Sequence, residues 1–132
     1  MAKNHQDEEF LFKEECFILT EIAEQIHRDL GFGLHDSEYK LASESKLKYH
    51  GFDYEAQKKF AFNFNGIILQ HKFYADFVIN ENIIVEIKSV PYRLNDYDLK
   101  VFEQLILNKP KAGLVINFYK EELHFKKIVL LA

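Results

Sequence analysis

The sequence predicts an α/β domain with a central mixed sheet flanked by helices. Three observations carry this. Helical apolar periodicity runs through the first fifty residues, short β-rich segments fill 54–88, and a further helical stretch precedes a wholly apolar strand at Ala112–Asn117.

Each element has its own signal. From about Glu8 to Leu30, Phe10, Phe17, Ile18, Ile22 and Ile26 recur at helical spacing, with Asp7 placed to cap. Gly31-Phe32-Gly33 breaks that helix. A second helix starts near Asp36 or Ser37, carries Tyr39, Leu41, Ala42 and Leu47, and stops at His50-Gly51. Tyr54–Phe64 alternates in part, with Phe60, Phe62 and Phe64 on one side, and Asn65-Gly66 is a hairpin turn. Ile67–His71, Phe73–Ile79 and Ile83–Lys88 read as three strands, the last two joined through Asn80-Glu81-Asn82. Asn95 or Asp96 caps a third helix through Leu99, Phe102, Leu105 and Ile106 to Asn108, and Pro110 stops it. Ala112–Asn117 has the pattern of a central buried strand, and Leu123–Leu131 is the final strand.

A length of 132 residues suits one domain, with 1–7 as a flexible N-terminus. There is no run of apolar residues long enough for a transmembrane helix, and the polar N-terminus lacks the apolar stretch of a signal peptide. The single Cys16 excludes an internal disulfide, lies in an apolar helical stripe as a core thiol, and fits a reducing cytoplasm. The net charge of −4 argues against indiscriminate coating of nucleic acid, although basic residues outnumber acidic ones from Lys88 onward.

The chemistry concentrates at Asp76 and Glu86-Ile87-Lys88. Two carboxylates and a lysine stand on adjacent strands in otherwise apolar sequence, where unpaired charge is costly. Glu86 and Lys88, two apart on a strand, share a face. Asp76 on the preceding strand comes within the span of a shared cation. Hard oxygen ligands favour Mg²⁺ or Mn²⁺, which keep waters and accept phosphate oxygens. Such an ion polarises a phosphate and acidifies a water, while Lys88 orients the attacking water and stabilises growing charge. A surface salt bridge between Glu86 and Lys88 is the plain alternative.

Asp76 with Glu86-Ile87-Lys88 matches the Asp…Glu-x-Lys core of the PD-(D/E)XK nuclease superfamily. More of the chain resembles one group within it, the small bacterial GxxExxY proteins. The resemblance rests on Gly31-Phe32-Gly33-Leu34-His35-Asp36-Ser37-Glu38-Tyr39, on Phe73-Tyr74-Ala75-Asp76-Phe77-Val78 and on Val85-Glu86-Ile87-Lys88-Ser89-Val90. It continues through Glu103-Gln104-Leu105 and Gly113-Leu114-Val115-Ile116-Asn117-Phe118.

The resemblance implies a restriction-endonuclease-like core and a Mg²⁺-dependent nuclease acting on nucleic acid, DNA before RNA. Asp76 and Glu86 would be the metal ligands, Lys88 the catalytic lysine, and Asp36 and Gln104 their assistants. The family's helix glutamate falls on Asp36, one methylene shorter. A ligand role through a water and a helix-cap role are both open for Asp36, and Glu38 is a possible substitute. Tyr39 matches the family tyrosine and is either a substrate contact or a core aromatic. Tyr92 and Arg93, just after the catalytic strand, are further candidates for substrate phosphate.

The six histidines lack zinc-site spacing, no Walker or Rossmann glycine loop is present, and no serine stands in a nucleophile elbow. Two other classes remain. One is a catalytically inactive nucleic-acid-binding module that keeps the fold. The other is an interaction domain pairing through an edge strand, Tyr54–Phe62 or Leu123–Leu131. A homodimer is compatible with either class or with a nuclease.

Overall fold

Helical periodicity at the N-terminal end yields two helices, α1 (Lys13–Leu30) and α2 (Asp36–Tyr49). They are followed by β1 (Tyr54–Phe64), β2 (Ile67–Ile79), β3 (Ile83–Lys88), β4 (Ala112–Asn117) and β5 (His124–Val129). The computed structural model describes residues 12–93 and 110–129, with backbone alone at 62–64 and 68–73. The Asp7 cap, the flexible 1–7 segment, Phe10, the third helix and Gln104 lie outside the described residues.

One five-stranded sheet runs β1-β2-β3-β4-β5. The first three strands form an antiparallel meander, β3 and β4 are parallel, and β5 returns antiparallel. This is the mixed sheet of a restriction-endonuclease-like α/β domain, with β1 and β5 at its edges.

The segments expected as separate strands at 67–71 and 73–79 are one 13-residue strand. Lys72 does not interrupt it, because the ladder to β1 carries through at Ala61↔Lys72. The Asn65-Gly66 turn has φ of 49° and 84°, the double positive φ that a type I′ hairpin turn needs. β2 pairs with β3 only over Phe77–Ile79, so most of the β1–β2 hairpin extends past that ladder.

The core lies between the helices and one face of the sheet. Cys16, Leu19, Ile22, Ala23 and Ile26 of α1 and Tyr39 and Leu47 of α2 meet Phe77, Ile79, Ile83, Val85, Ile87, Leu114 and Ile116. The expected stripes need correction at two positions: Phe17 and Leu41 are exposed. In α1 the buried row is set by Cys16, Leu19, Ala23 and Ile26, and Phe17 is turned roughly 100° from Cys16. Cys16 is a buried free thiol, as its stripe predicts. Burial raises its pKa, which makes it a poor nucleophile.

On the other sheet face Val78, Ile84 and Val115 are also buried. Burial on both sides explains why β3 and β4 read as continuous apolar runs.

Candidate active site

The β2–β3 ladder stops at the Phe77↔Val85 pair. The next residues outward are Asp76 and Glu86, and there side chains replace backbone partners. The Asp76 amide donates to Glu86 Oε1 at 3.1 Å, and the Ile87 amide donates to Asp76 Oδ2 at 2.8 Å. Two backbone donors at the end of the ladder are thus satisfied by two carboxylates. The exchange fixes both acids in the opening between the strands, each 4% exposed.

The remaining oxygens face cations and an amide. Lys88 Nζ lies 3.6 Å from Glu86 Oε2, on the same strand face as alternation requires. Asp76 Oδ1 meets Lys40 Nζ of α2 at 3.0 Å and accepts from Gln57 Nε2 at 3.4 Å. Lys40 Nζ is also 3.6 Å from Asp36 Oδ2, one helical turn earlier. Asp36 therefore reaches the pair through Lys40.

The electrostatics follow. Burial pushes the Glu86 carboxyl up to about 8, and the neighbouring Asp76 charge adds to the rise. Lys88 and the Asp76 amide pull the other way without cancelling it. For Lys40, burial alone lowers the pKa. The bond to Asp76 and the charges of Asp76, Asp36 and Glu86 outweigh burial, so the net shift is upward.

The surrounding loops are tied to one another. Tyr39 is fully buried and stacks on Phe118 at 4.4 Å between ring centroids. Its hydroxyl donates to Gly31 O at 2.9 Å and accepts from the Leu34 amide at 3.2 Å. A ring so enclosed offers no surface to a substrate; Tyr39 instead braces the 31–34 turn. Gly33 sits in that turn at φ 79°, where a side chain would be strained. Asn117, buried at the end of β4, accepts from the Val90 and Tyr119 amides and donates to Val90 O. Ser89 Oγ donates to Leu34 O. The segment leaving Lys88 is therefore held on both sides.

The expected cap role of Asp36 is corrected. His35 is the N-cap, its Nδ1 accepting from the Ser37 amide, while Asp36 is the first helical residue and engages Lys40. Tyr92 and Arg93 are exposed on the segment after β3.

Sequence reasoning missed Lys40, Gln57 and Asn117. Gln57 stands opposite Asp76 in the β1–β2 register, between Ala56↔Phe77 and Lys58↔Ala75, with φ at 53° inside a strand. Positive φ in a non-glycine strand residue is stored strain, placed here against the acidic pair.

A family model for the PD-(D/E)XK nuclease superfamily matches residues 13–128. This chain belongs to that superfamily. The matched span holds the Asp76…Glu86-Ile87-Lys88 set. Among solved structures, the crystal structure of SSO0001 is similar at a TM-score of 0.52 and 20% identity. The match covers 92% of this chain and 61% of that one, a likeness of fold alone. No curated protein matches the chain.

Proposed function

We propose that this PD-(D/E)XK protein is a Mg²⁺- or Mn²⁺-dependent nuclease that hydrolyses phosphodiester bonds of DNA, in the narrower group that the GxxExxY resemblance indicates. The observation that carries the proposal is the reciprocal clamp. Asp76 and Glu86 are buried side by side on each other's backbone amides, with Lys88 against Glu86.

The donor set fits a hard divalent cation. Both ligands are carboxylates, and their mutual repulsion is what an ion between them would relieve. Among the described residues no group of three or more His, Cys, Asp or Glu gathers at one point. An ion held by this pair would leave its other positions to water and phosphate oxygens, the arrangement Mg²⁺ favours. When bound, the ion would polarise the scissile phosphate and acidify a water.

The chain supplies the rest. Lys88, fixed by the strand and facing Glu86, orients the attacking water and holds the negative charge that builds on the phosphate oxygens. The water oxygen bonds to phosphorus, and one P–O bond to sugar breaks. A phosphate monoester and a sugar hydroxyl remain. Gln104 and Asp36 assist, Asp36 through Lys40. Tyr92 and Arg93 are placed in sequence to touch the nucleic acid backbone after the catalytic strand.

The test incubates purified protein with single-stranded, duplex and nicked DNA in Mg²⁺ or Mn²⁺. Wild-type protein is expected to cleave at least one substrate, and Lys88→Ala or Asp76→Asn to lose about 10²-fold or more. Cleavage that persists at wild-type rate in both variants refutes the assignment.

A further inference from the structure

The site already contains a cation. Lys40 reaches from α2 to Asp76 Oδ1 at 3.0 Å, closer than Lys88 stands to Glu86, and Asp36 Oδ2 lies 3.6 Å away on its other side. Its side chain is 28% exposed, whereas Asp76 is almost enclosed at 6%. The ammonium thus plugs the acidic opening from the solvent side. Asp76 Oδ2 is committed to the Ile87 amide, so Oδ1 is the oxygen through which Asp76 meets a cation.

An ammonium at 3.0 Å and a divalent ion on the same oxygen, about 2.1 Å away, would crowd and repel each other. The Asp36–Lys40 spacing of one helical turn gives the ammonium a second carboxylate to hold when it leaves Asp76.

We infer that Lys40 is a resident, tethered counter-ion of the acidic pair. It neutralises Asp76 when no divalent ion is bound, must swing off Oδ1 to admit one, and is retained at the mouth of the site by Asp36. This deepens the metal-dependent reading above and rests on it. Lys40 is in this sense a positioning residue and a brake on metal loading. At Lys40 the chemistry is cation exchange, with no covalent bond made or broken at that residue. A further consequence is spatial: the displaced ammonium stays beside the opening, where substrate phosphate arrives.

The probe is Mn²⁺ alone, titrated calorimetrically into wild-type, Lys40→Gln, Lys40→Arg and Asp76→Asn proteins without nucleic acid. Lys40→Gln is expected to bind Mn²⁺ roughly twofold to fivefold more tightly than wild type, the equivalent of one lost partly exposed ion pair. Lys40→Arg keeps the charge and stays near wild type, and Asp76→Asn loses binding. An affinity unchanged or weakened in Lys40→Gln overturns the inference while leaving the metal reading intact.

A double-mutant cycle between Lys40→Gln and Asp76→Asn, read by urea unfolding in chelator, is independent of metal. If no variant binds Mn²⁺, the nuclease proposal falls. Non-additivity in the cycle then still establishes Lys40 as the counter-ion of Asp76, whereas additivity overturns that too.

Discussion

Replacing Glu86 by Gln should remove a loss of stability that wild type suffers as pH rises through neutrality. In the folded protein burial, reinforced by Asp76, raises the Glu86 pKa from 4.5 to about 8. In the unfolded chain it returns to an ordinary carboxylate value. Between those limits the fold keeps a proton that the unfolded chain has released. The stabilisation linked to this proton is fully present below the unfolded pKa and is lost as pH rises through the folded one. The slope is about 1.4 kcal/mol per pH unit, and the whole window is worth about 5 kcal/mol at most. Urea unfolding of chelator-treated protein from pH 5 to pH 9 measures it. Other groups titrate as well, so the informative quantity is the difference between wild type and Glu86→Gln. Gln keeps an oxygen to accept from the Asp76 amide and has no carboxyl proton to lose. The variant is expected to gain on wild type steadily up to about pH 8 and then hold its lead. Parallel curves, or wild type gaining as pH rises, would refute the burial argument. Under the proposed function, Mg²⁺ favours the ionised carboxylate and should flatten the wild-type slope.

Tyr39→Phe keeps the stack on Phe118 and removes both hydroxyl hydrogen bonds to the 31–34 turn. A loss of about 1–3 kcal/mol in urea unfolding is expected, and an unchanged midpoint would show that the hydroxyl does not brace that turn. Asp76→Ala strips the Ile87 amide of its acceptor and Lys40 of its partner, whereas Asp76→Asn retains an oxygen for the amide. Alanine should therefore destabilise by about 1–3 kcal/mol more than asparagine. Equal stabilities of the two variants would argue against the clamp.

Much of the scaffold was legible because local chemistry and tertiary context agree there. β1, β3 and β4 have the bounds that alternation, the Asn65-Gly66 turn and the apolar run indicate. Asp76 and Glu86 stood out as charges in apolar strands, and the structure sets them against each other. What stayed hidden depends on how elements meet. Lys40 reads as one more solvated helix lysine, and only the packing of α2 on the sheet at β3 brings it to Asp76. Gln57 carries no local cue for positive φ. His35 takes the cap that Asp36 suits better by propensity. The exposure of Phe17 follows from which helical row faces the sheet, and a broad apolar stripe leaves that choice open.

The splay of β2 from β3 links fold to chemistry. Past Phe77↔Val85 the Asp76 and Ile87 amides take carboxylates as acceptors, and carboxylates held by amide donors are fixed without help from a cation. That leaves Asp76 Oδ1 and Glu86 Oε2 uncommitted to the backbone, and each of these faces a lysine. The same hydrogen bonds that close the end of the strand pair thus also set how many acidic oxygens remain for chemistry. Asn117 and Tyr39 act one step further out, by fixing the loops that flank the opening rather than the acids themselves. A site built this way depends on backbone geometry as much as on its three ionisable groups. The informative substitutions are therefore isosteric amides, which remove charge and leave the clamp in place.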